Sequence, residues 1–178
     1  MTTRVALIGA NGHGLSHRRA LAAMSTVQLV AIADVAPVQD PPDGVPAYPS
    51  HTRLLAEVAP DIVIVCTPPH THLAIATDAL RAGADVLLEK PPVLDAAEHR
   101  CLERVLAETG RSCQVGFQAL ASPALAQLLS TMDSASLSSI AAVGAWKRDE
   151  AYFTRSAWVG RSTVGGHPTL DLNVGVVF

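Results

Sequence analysis

The sequence predicts an α/β domain built on a doubly wound parallel sheet, and three observations carry that reading. Short apolar β-type runs alternate with helical patterns about five times along the chain. The first run passes directly into a glycine-rich turn and a helix. Each cluster of polar residues falls just past the carboxyl end of a strand pattern, which is where open parallel sheets take their ligands.

The first run is Val5–Ile8, and the turn is Gly9-Ala10-Asn11-Gly12-His13-Gly14. A helical pattern follows, with Leu15, Leu21, Ala22 and Met24 as its apolar positions. Strand, tight turn and helix open a dinucleotide-binding βαβ unit. There the first glycine makes the turn, the second admits the pyrophosphate, and the third lets helix pack close to strand. The helix N-terminus offers free N–H groups and a positive dipole end to the anion. In this register glycines stand at 9 and 14, while position 11 holds Asn. Asn tolerates positive φ, but its side chain takes up room that a phosphate would use, and Gly12 eases that crowding. Gly9, Ala10, Asn11, Gly12, His13 and Gly14 are therefore cofactor-binding candidates. The plain alternative is an ordinary β-to-α turn of the kind that also serves flavin and S-adenosylmethionine proteins.

Val27–Ala33 is strand-like and ends at Asp34, 20 residues past Gly14, where this unit places the acid that hydrogen-bonds the adenosine ribose. A carboxylate there repels a 2′-phosphate. Val35, Ala36 and Pro37 bring no cation, so NAD is expected over NADP. The stretch from Pro37 to Pro49 carries five prolines and reads as a loop over the sheet edge. A short helix is expected over about 50–58, with Ser50 as its N-cap. The run Asp61-Ile-Val-Ile-Val-Cys66 reads as a strand buried on both faces, ending in Thr67-Pro68-Pro69-His70-Thr71-His72.

A helix is expected from His70 to Ala82, stopped by Gly83, and a strand from Asp85 to Glu89 that ends in Lys90-Pro91-Pro92. Asp95 is the candidate N-cap of a helix to Glu108, with Gly110 as its stop. A strand at Cys113–Phe117 and a helix at Pro123–Met132 complete the pattern. Residues 1–130 are expected to form the dinucleotide-binding domain and 131–178 the start of a second domain.

Thr67, Pro68, His72, Glu89, Lys90 and Gln118 join the cofactor-binding candidates because they follow strand ends. Lys90 is the most interesting ionisable group. With Pro91 fixing the backbone beside it, it could hydrogen-bond a substrate hydroxyl and help take its proton as hydride leaves the same carbon. The plain alternative is a solvated lysine paired with Glu89. His70 and His72 do not share a helix face. His13 and His17 have i, i+4 spacing, but no third ligand is evident, so no metal site is expected.

Composition excludes several classes. The 178 residues, 49% of them hydrophobic, are enough for one domain or for one plus part of another. Lys and Arg total 13 against 16 Asp and Glu, for a net charge of −3 with no basic run, which argues against nucleic acid. Cys66, Cys101 and Cys113 have no C-x-x-C spacing, so neither a disulfide framework nor a zinc site is suggested, and a reducing cytoplasm fits. Neither a signal-peptide layout nor an 18-residue apolar run is present, so no membrane span is expected.

The series Gly9–Gly14, Asp34, Cys66–His72, Ala82-Gly-Ala-Asp-Val-Leu-Leu-Glu-Lys-Pro91 and Val115-Gly-Phe-Gln118 resembles the N-terminal half of the Gfo/Idh/MocA oxidoreductase family. The resemblance runs to about residue 130, and Glu89-Lys90-Pro91 after a strand is its most specific part. It implies a Rossmann domain that binds NAD or NADP, with reversible hydride transfer to or from a sugar, cyclitol or related small-molecule substrate. It further implies that Lys90 is the catalytic lysine and that the bond before Pro91 is cis.

The family's second domain is an open, mostly antiparallel sheet that covers the cofactor and supplies further catalytic groups and the oligomer interface. Ile140–Arg148 resembles its first strand, and Trp158–Arg161 through Gly166 the following loop. Asp171 falls on the family's catalytic acid, while Gly175 stands where its histidine should be. A shortened second domain is therefore expected, with residues after about 135 loosely packed or paired in a homo-oligomer through the C-terminal region. Two other readings stay open. One is a dinucleotide-binding module without turnover. The other is an S-adenosylmethionine methyltransferase, which has no need of Glu89-Lys90-Pro91.

Overall fold

The computed structural model of the chain describes residues 2–132, 147, 149–154, 163, 164, 167 and 168. Two compact units divide it, residues 1–116 and 117–178. In the first, the strands are β1 (Thr3–Ile8), β2 (Val27–Ala33), β3 (Ala47–Tyr48), β4 (Ile62–Val65), β5 (Asp85–Leu88) and β6 (Cys113–Val115). The helices between them are α1 (Gly14–Ala22), α2 (His51–Val58), α3 (His72–Arg81) and α4 (Ala96–Thr109). The six strands form one parallel sheet in the order β3-β2-β1-β4-β5-β6. The chain thus winds outward from β1 in both directions, and β1 and β4 meet at the point where the order reverses.

Side-chain alternation distributes the core to the two faces of the sheet. Val5 and Leu7 pack with Ile32, Ile64 and Leu21 of α1 on one face. Ala6 and Ile8 pack on the other with Leu54, Ile75, Leu80, Leu102 and Val105 from α2, α3 and α4. The helix signals act as their chemistry dictates. Ser50 Oγ accepts from the Arg53 amide at 3.2 Å, and Asp95 Oδ1 from the Glu98 amide at 2.8 Å. Gly110, at φ 65°, ends α4.

Four details differ from the sequence reading. The proline-rich stretch includes β3, because Ile32 N–H reaches the Pro46 carbonyl and draws a two-residue strand onto the sheet edge. The helix expected from His70 begins at His72, after a single 3-10 turn over Pro69–Thr71. The strand expected to reach Phe117 ends at Val115. Of the four apolar positions expected for the first helix, Leu21 is buried and Leu15 half-buried, whereas Ala22 is exposed and Met24 lies beyond the helix, 50% exposed.

The second unit contains a 3-10 turn (Gln118–Ala121), α5 (Pro123–Thr131), α6 (Glu150–Thr154) and the antiparallel pair β7 (Thr163–Val164) and β8 (His167–Pro168). The boundary expected near residue 130 falls inside α5. Most of Ile140–Arg148, all of Trp158–Arg161, and Asp171 and Gly175 lie outside the described residues. No helix among the described residues is long and apolar enough to cross a membrane.

At the carboxyl edge of the sheet the residues just past the strands continue the ladder. Gly9 N donates to the Ala33 carbonyl at 2.8 Å, Cys66 N to Ile8 at 2.8 Å, Glu89 N to Val65 at 3.0 Å and Gly116 N to Leu88 at 2.8 Å. Two glycines make this edge possible. Gly9 has φ 87°, and a Cβ on it would collide with the Cys66 carbonyl. A Cβ on Gly14 would run into the Gly9 carbonyl, so this glycine lets α1 start directly over the turn. Gly12, at φ 55°, meets nothing within 4 Å. Gly14→Ala is therefore expected to lower unfolding free energy in urea by about 1–3 kcal/mol. Gly12→Ala should lose only the backbone preference, at most about 1–2 kcal/mol. A Gly14→Ala variant as stable as wild type would contradict the close-packing account.

Candidate functional site

The sheet edge gathers most of the sequence-predicted residues into one row. Gly9–Gly14 follows β1, Asp34 follows β2, Thr67 and Pro68 follow β4, and Glu89 and Lys90 follow β5. Gln118 lies in the second unit, at the start of its 3-10 turn, and is exposed.

Asn11, the departure at the second glycine position, is explained by what it holds. Its Nδ2 donates to the Pro37 carbonyl at 3.2 Å, and its Oδ1 accepts from Gln39 N at 3.0 Å. The side chain is thus committed to the loop after β2. Its own amide donates to Asp34 Oδ2 at 3.0 Å, and the Ala36 amide donates to Asp34 Oδ1 at 3.0 Å. Asp34 is thereby fixed between the glycine turn and its own loop, with each carboxylate oxygen retaining a lone pair. A cavity of about 340 Å³ opens beside it, lined by Asp34, Val35, Pro37, Val38 and Tyr48 among others. The sequence showed no cation here, yet Arg18 of α1 reaches this loop. Its guanidinium donates to the carbonyls of Gln39, at 2.8 Å, and Asp40.

Glu89 is held by histidines rather than by Lys90. His17 Nε2 lies 3.0 Å from Glu89 Oε1, and His13 Nε2 lies 3.5 Å from the same oxygen. Lys90 reaches Glu89 only through its backbone N–H, 3.4 Å from Oε2. Among the described residues no carboxylate pairs with the Lys90 ammonium, which corrects the picture of a Glu89–Lys90 ion pair. Burial opposes the charged form of Glu89. The His17 hydrogen bond, the two nearby imidazoles and the Lys90 amide together outweigh it, and its carboxyl sits below the usual range.

The peptide bond between Lys90 and Pro91 is cis, as the family resemblance implied. His72 ties this turn to the neighbouring one. It is 1% exposed, with Nδ1 2.7 Å from the Pro91 carbonyl and Nε2 2.8 Å from the Thr67 carbonyl. Neither ring nitrogen is left for a cofactor, so His72 joins the strand-end turns instead of contacting a ligand through its ring. Thr71 Oγ1 braces the same turn through Thr67 Oγ1 and the Pro68 carbonyl, both at 2.7 Å. Cys66 is pushed up to about 12 by burial and by the nearby Glu89 and Asp34 carboxylates. It stays a neutral thiol, which rules it out as a thiolate nucleophile.

A glycine turn under a helix N-terminus, an anchored strand-end acid and a lysine turn on the same edge define a doubly wound α/β domain of the dinucleotide-binding kind. Comparison with known proteins narrows the class. Residues 3–117 match an oxidoreductase family with an NAD-binding Rossmann fold, GFO_IDH_MocA. The chain belongs to this Gfo/Idh/MocA family. It is 31% identical over 170 residues to inositol 2-dehydrogenase of Rhizobium meliloti (strain 1021), a match spanning 90% of this chain and 51% of that protein. It is 33% identical over 81 residues to scyllo-inositol 2-dehydrogenase (NAD(+)) of Bacillus subtilis (strain 168), spanning 46% and 24% respectively. The crystal structure of scyllo-inositol dehydrogenase from Lactobacillus casei with bound NAD(H) and scyllo-inositol superposes with a TM-score of 0.68 over 73% of this chain and 41% of that one. At 24% identity that likeness is one of fold. The chain spans about half the length, or less, of the curated relatives it matches.

Burial lowers the pKa of His72, outweighing the two carbonyls that favour its protonated form. The unfolded chain therefore takes up this proton first, near pH ~6.5. The contribution to stability is complete above that value and is lost as pH falls toward the folded-state pKa. Chemical denaturation between pH 7 and 5 should show wild type losing up to about 1.4 kcal/mol per pH unit more than His72→Gln. Parallel curves for the two proteins would contradict this.

Proposed function

We propose that this chain provides the dinucleotide-binding part of an NAD-dependent dehydrogenase that interconverts a secondary hydroxyl and a ketone on a cyclitol, sugar or related polyol. The observation that carries the reading is the shared sheet edge. Lys90 stands at the end of β5, in the same row as the Gly9–Gly14 turn and Asp34, with its ammonium unpaired among the described residues. The inositol dehydrogenases among the relatives support the substrate class.

The residues present fit the cofactor. Gly9 and Gly14 keep the backbone bare where a Cβ would intrude, and the positive dipole end of α1 favours a pyrophosphate at this turn, while the Gly14, Leu15 and Ser16 amides donate to the Asn11, Gly12 and His13 carbonyls. Asp34 can accept from both ribose hydroxyls while its own position is set by the Asn11 and Ala36 amides. Its negative charge disfavours a 2′-phosphate. Arg18, the cation that reaches this loop, already donates to the carbonyls of Gln39 and Asp40, so NAD is preferred over NADP.

A nicotinamide bound at this edge would supply the hydride acceptor for the substrate carbon. Lys90 Nζ hydrogen-bonds the hydroxyl on that carbon and helps take its proton as the carbonyl forms. Glu89 is occupied by His17 and His13, which leaves Lys90 free for this contact. Asp171, outside the described residues, keeps the role of catalytic acid that the family resemblance implies.

NADH production from myo-inositol, scyllo-inositol and a panel of sugars by the full chain tests the proposal. Lys90→Ala should reduce turnover by about 10²–10⁴-fold while NAD binding persists. Equal turnover by Lys90→Ala and wild type would remove Lys90 from the mechanism. Nucleotide binding without any turnover across the panel would favour the non-catalytic module instead.

A further inference from the structure

His13 and His17 stand one helical turn apart at the start of α1, and the fold brings Glu89 to both of them from the end of β5. One candidate ligand atom from each residue, an imidazole nitrogen from each histidine and a carboxylate oxygen of Glu89, lies within 4.8 Å of the other two. We propose that His13, His17 and Glu89 bind one divalent transition-metal ion of the zinc class, with the remaining coordination position left to water or an exogenous ligand.

The geometry is close to what such an ion needs. Zinc bonds to imidazole nitrogen and carboxylate oxygen at about 2.0–2.2 Å in tetrahedral sites, which places neighbouring ligand atoms about 3.3–3.5 Å apart. The observed separations from Glu89 Oε1 are 3.0 Å to His17 and 3.5 Å to His13. The two imidazoles meet edge-on, centroids 5.5 Å apart and planes at 83°, so both rings aim their Nε2 atoms toward one carboxylate without stacking. Two imidazoles and a carboxylate form a donor set suited to zinc, cobalt or nickel rather than to calcium or magnesium.

The site is also partly preorganised. His17 and Glu89 have side chains only 19% and 16% exposed, so the ordering cost of two of the three ligands is already met. His13 is 65% exposed and makes no capping hydrogen bond, which leaves it free to close on an ion. The positive end of the α1 dipole opposes a cation here, and the Glu89 charge opposes that effect. Two other described histidines pair with a carboxylate. His51 lies 3.0 Å from Asp78 and His99 3.3 Å from Glu103, and neither pair gathers a third ligand among the described residues.

This assignment does not depend on nucleotide binding, and its test omits nucleotide. Calorimetric titration of the chelator-treated full chain with zinc chloride should show about one equivalent bound. His13→Ala and Glu89→Gln should each weaken binding by roughly a hundredfold, while His51→Ala and His99→Ala leave it unchanged. Cobalt(II) added to wild type should develop the visible absorption of a tetrahedral site, and His13→Ala should lose it. Because His13 is exposed and caps nothing, that variant keeps the fold, which far-UV circular dichroism would verify. Failure of wild type to bind zinc, or equal affinity in wild type and His13→Ala, would overturn the assignment.

Discussion

The close approach of backbone to backbone at Gly9 is the constraint on which the carboxyl edge of this sheet depends. Gly9 turns the chain out of β1 at positive φ while its Cα rests against the Cys66 carbonyl, and Gly14 then packs onto the Gly9 carbonyl. Any side chain at either place would push α1 or the end of β4 away. With both bare, the amides of Gly9, Cys66, Glu89 and Gly116 continue the strand ladder past the strand ends. Adjacent strands are about 4.8 Å apart, so the residues that follow them stand in a row. Function at this edge follows from that packing.

Electrostatics on the row is arranged by pairing. Two carboxylates, Asp34 and Glu89, sit near the N-terminus of α1, where an anion from outside would otherwise meet repulsion. Asp34 is tied down by two backbone amides and Glu89 by two imidazoles. The same two carboxylates, added to burial, keep Cys66 a neutral thiol at the end of β4. His72 links the β4 and β5 turns through carbonyls on both sides, so the Lys90 turn is braced by a side chain inside the core. Lys90 itself is left without a carboxylate partner among the described residues.

Most of the first unit was legible because its elements carry local signals. Val5–Ile8 and Ile62–Val65 are apolar runs of strand length, Ser50 and Asp95 are cap residues with the right neighbours, and Gly110 and Gly14 punctuate helices. The family resemblance at Glu89-Lys90-Pro91 also foretold the cis bond, which no local pattern dictates. What sequence could not show was long-range. The contact between His17 and Glu89 spans 72 positions, and only the strand order places them together. Spacing along the chain therefore shows His13 and His17 without Glu89. The partner of Asn11 is the loop at Pro37 and Gln39, which reads from sequence as featureless, and Arg18 reaches that loop only because α1 lies beside it. Strand β3 was hidden among prolines, since its two residues are recruited by the edge of β2 rather than by their own propensity.

We propose that this one sheet edge, assembled from separated turns, forms a single nucleotide site. Backbone amide shifts of the isotope-labelled chain, followed during titration with NAD, test it most directly. The account predicts that the largest changes fall on Gly9, Gly12 to Gly14, Asp34, Thr67 and Lys90, saturating together at one nucleotide concentration. Shifts confined to other parts of the chain, or none at saturating NAD, would contradict it.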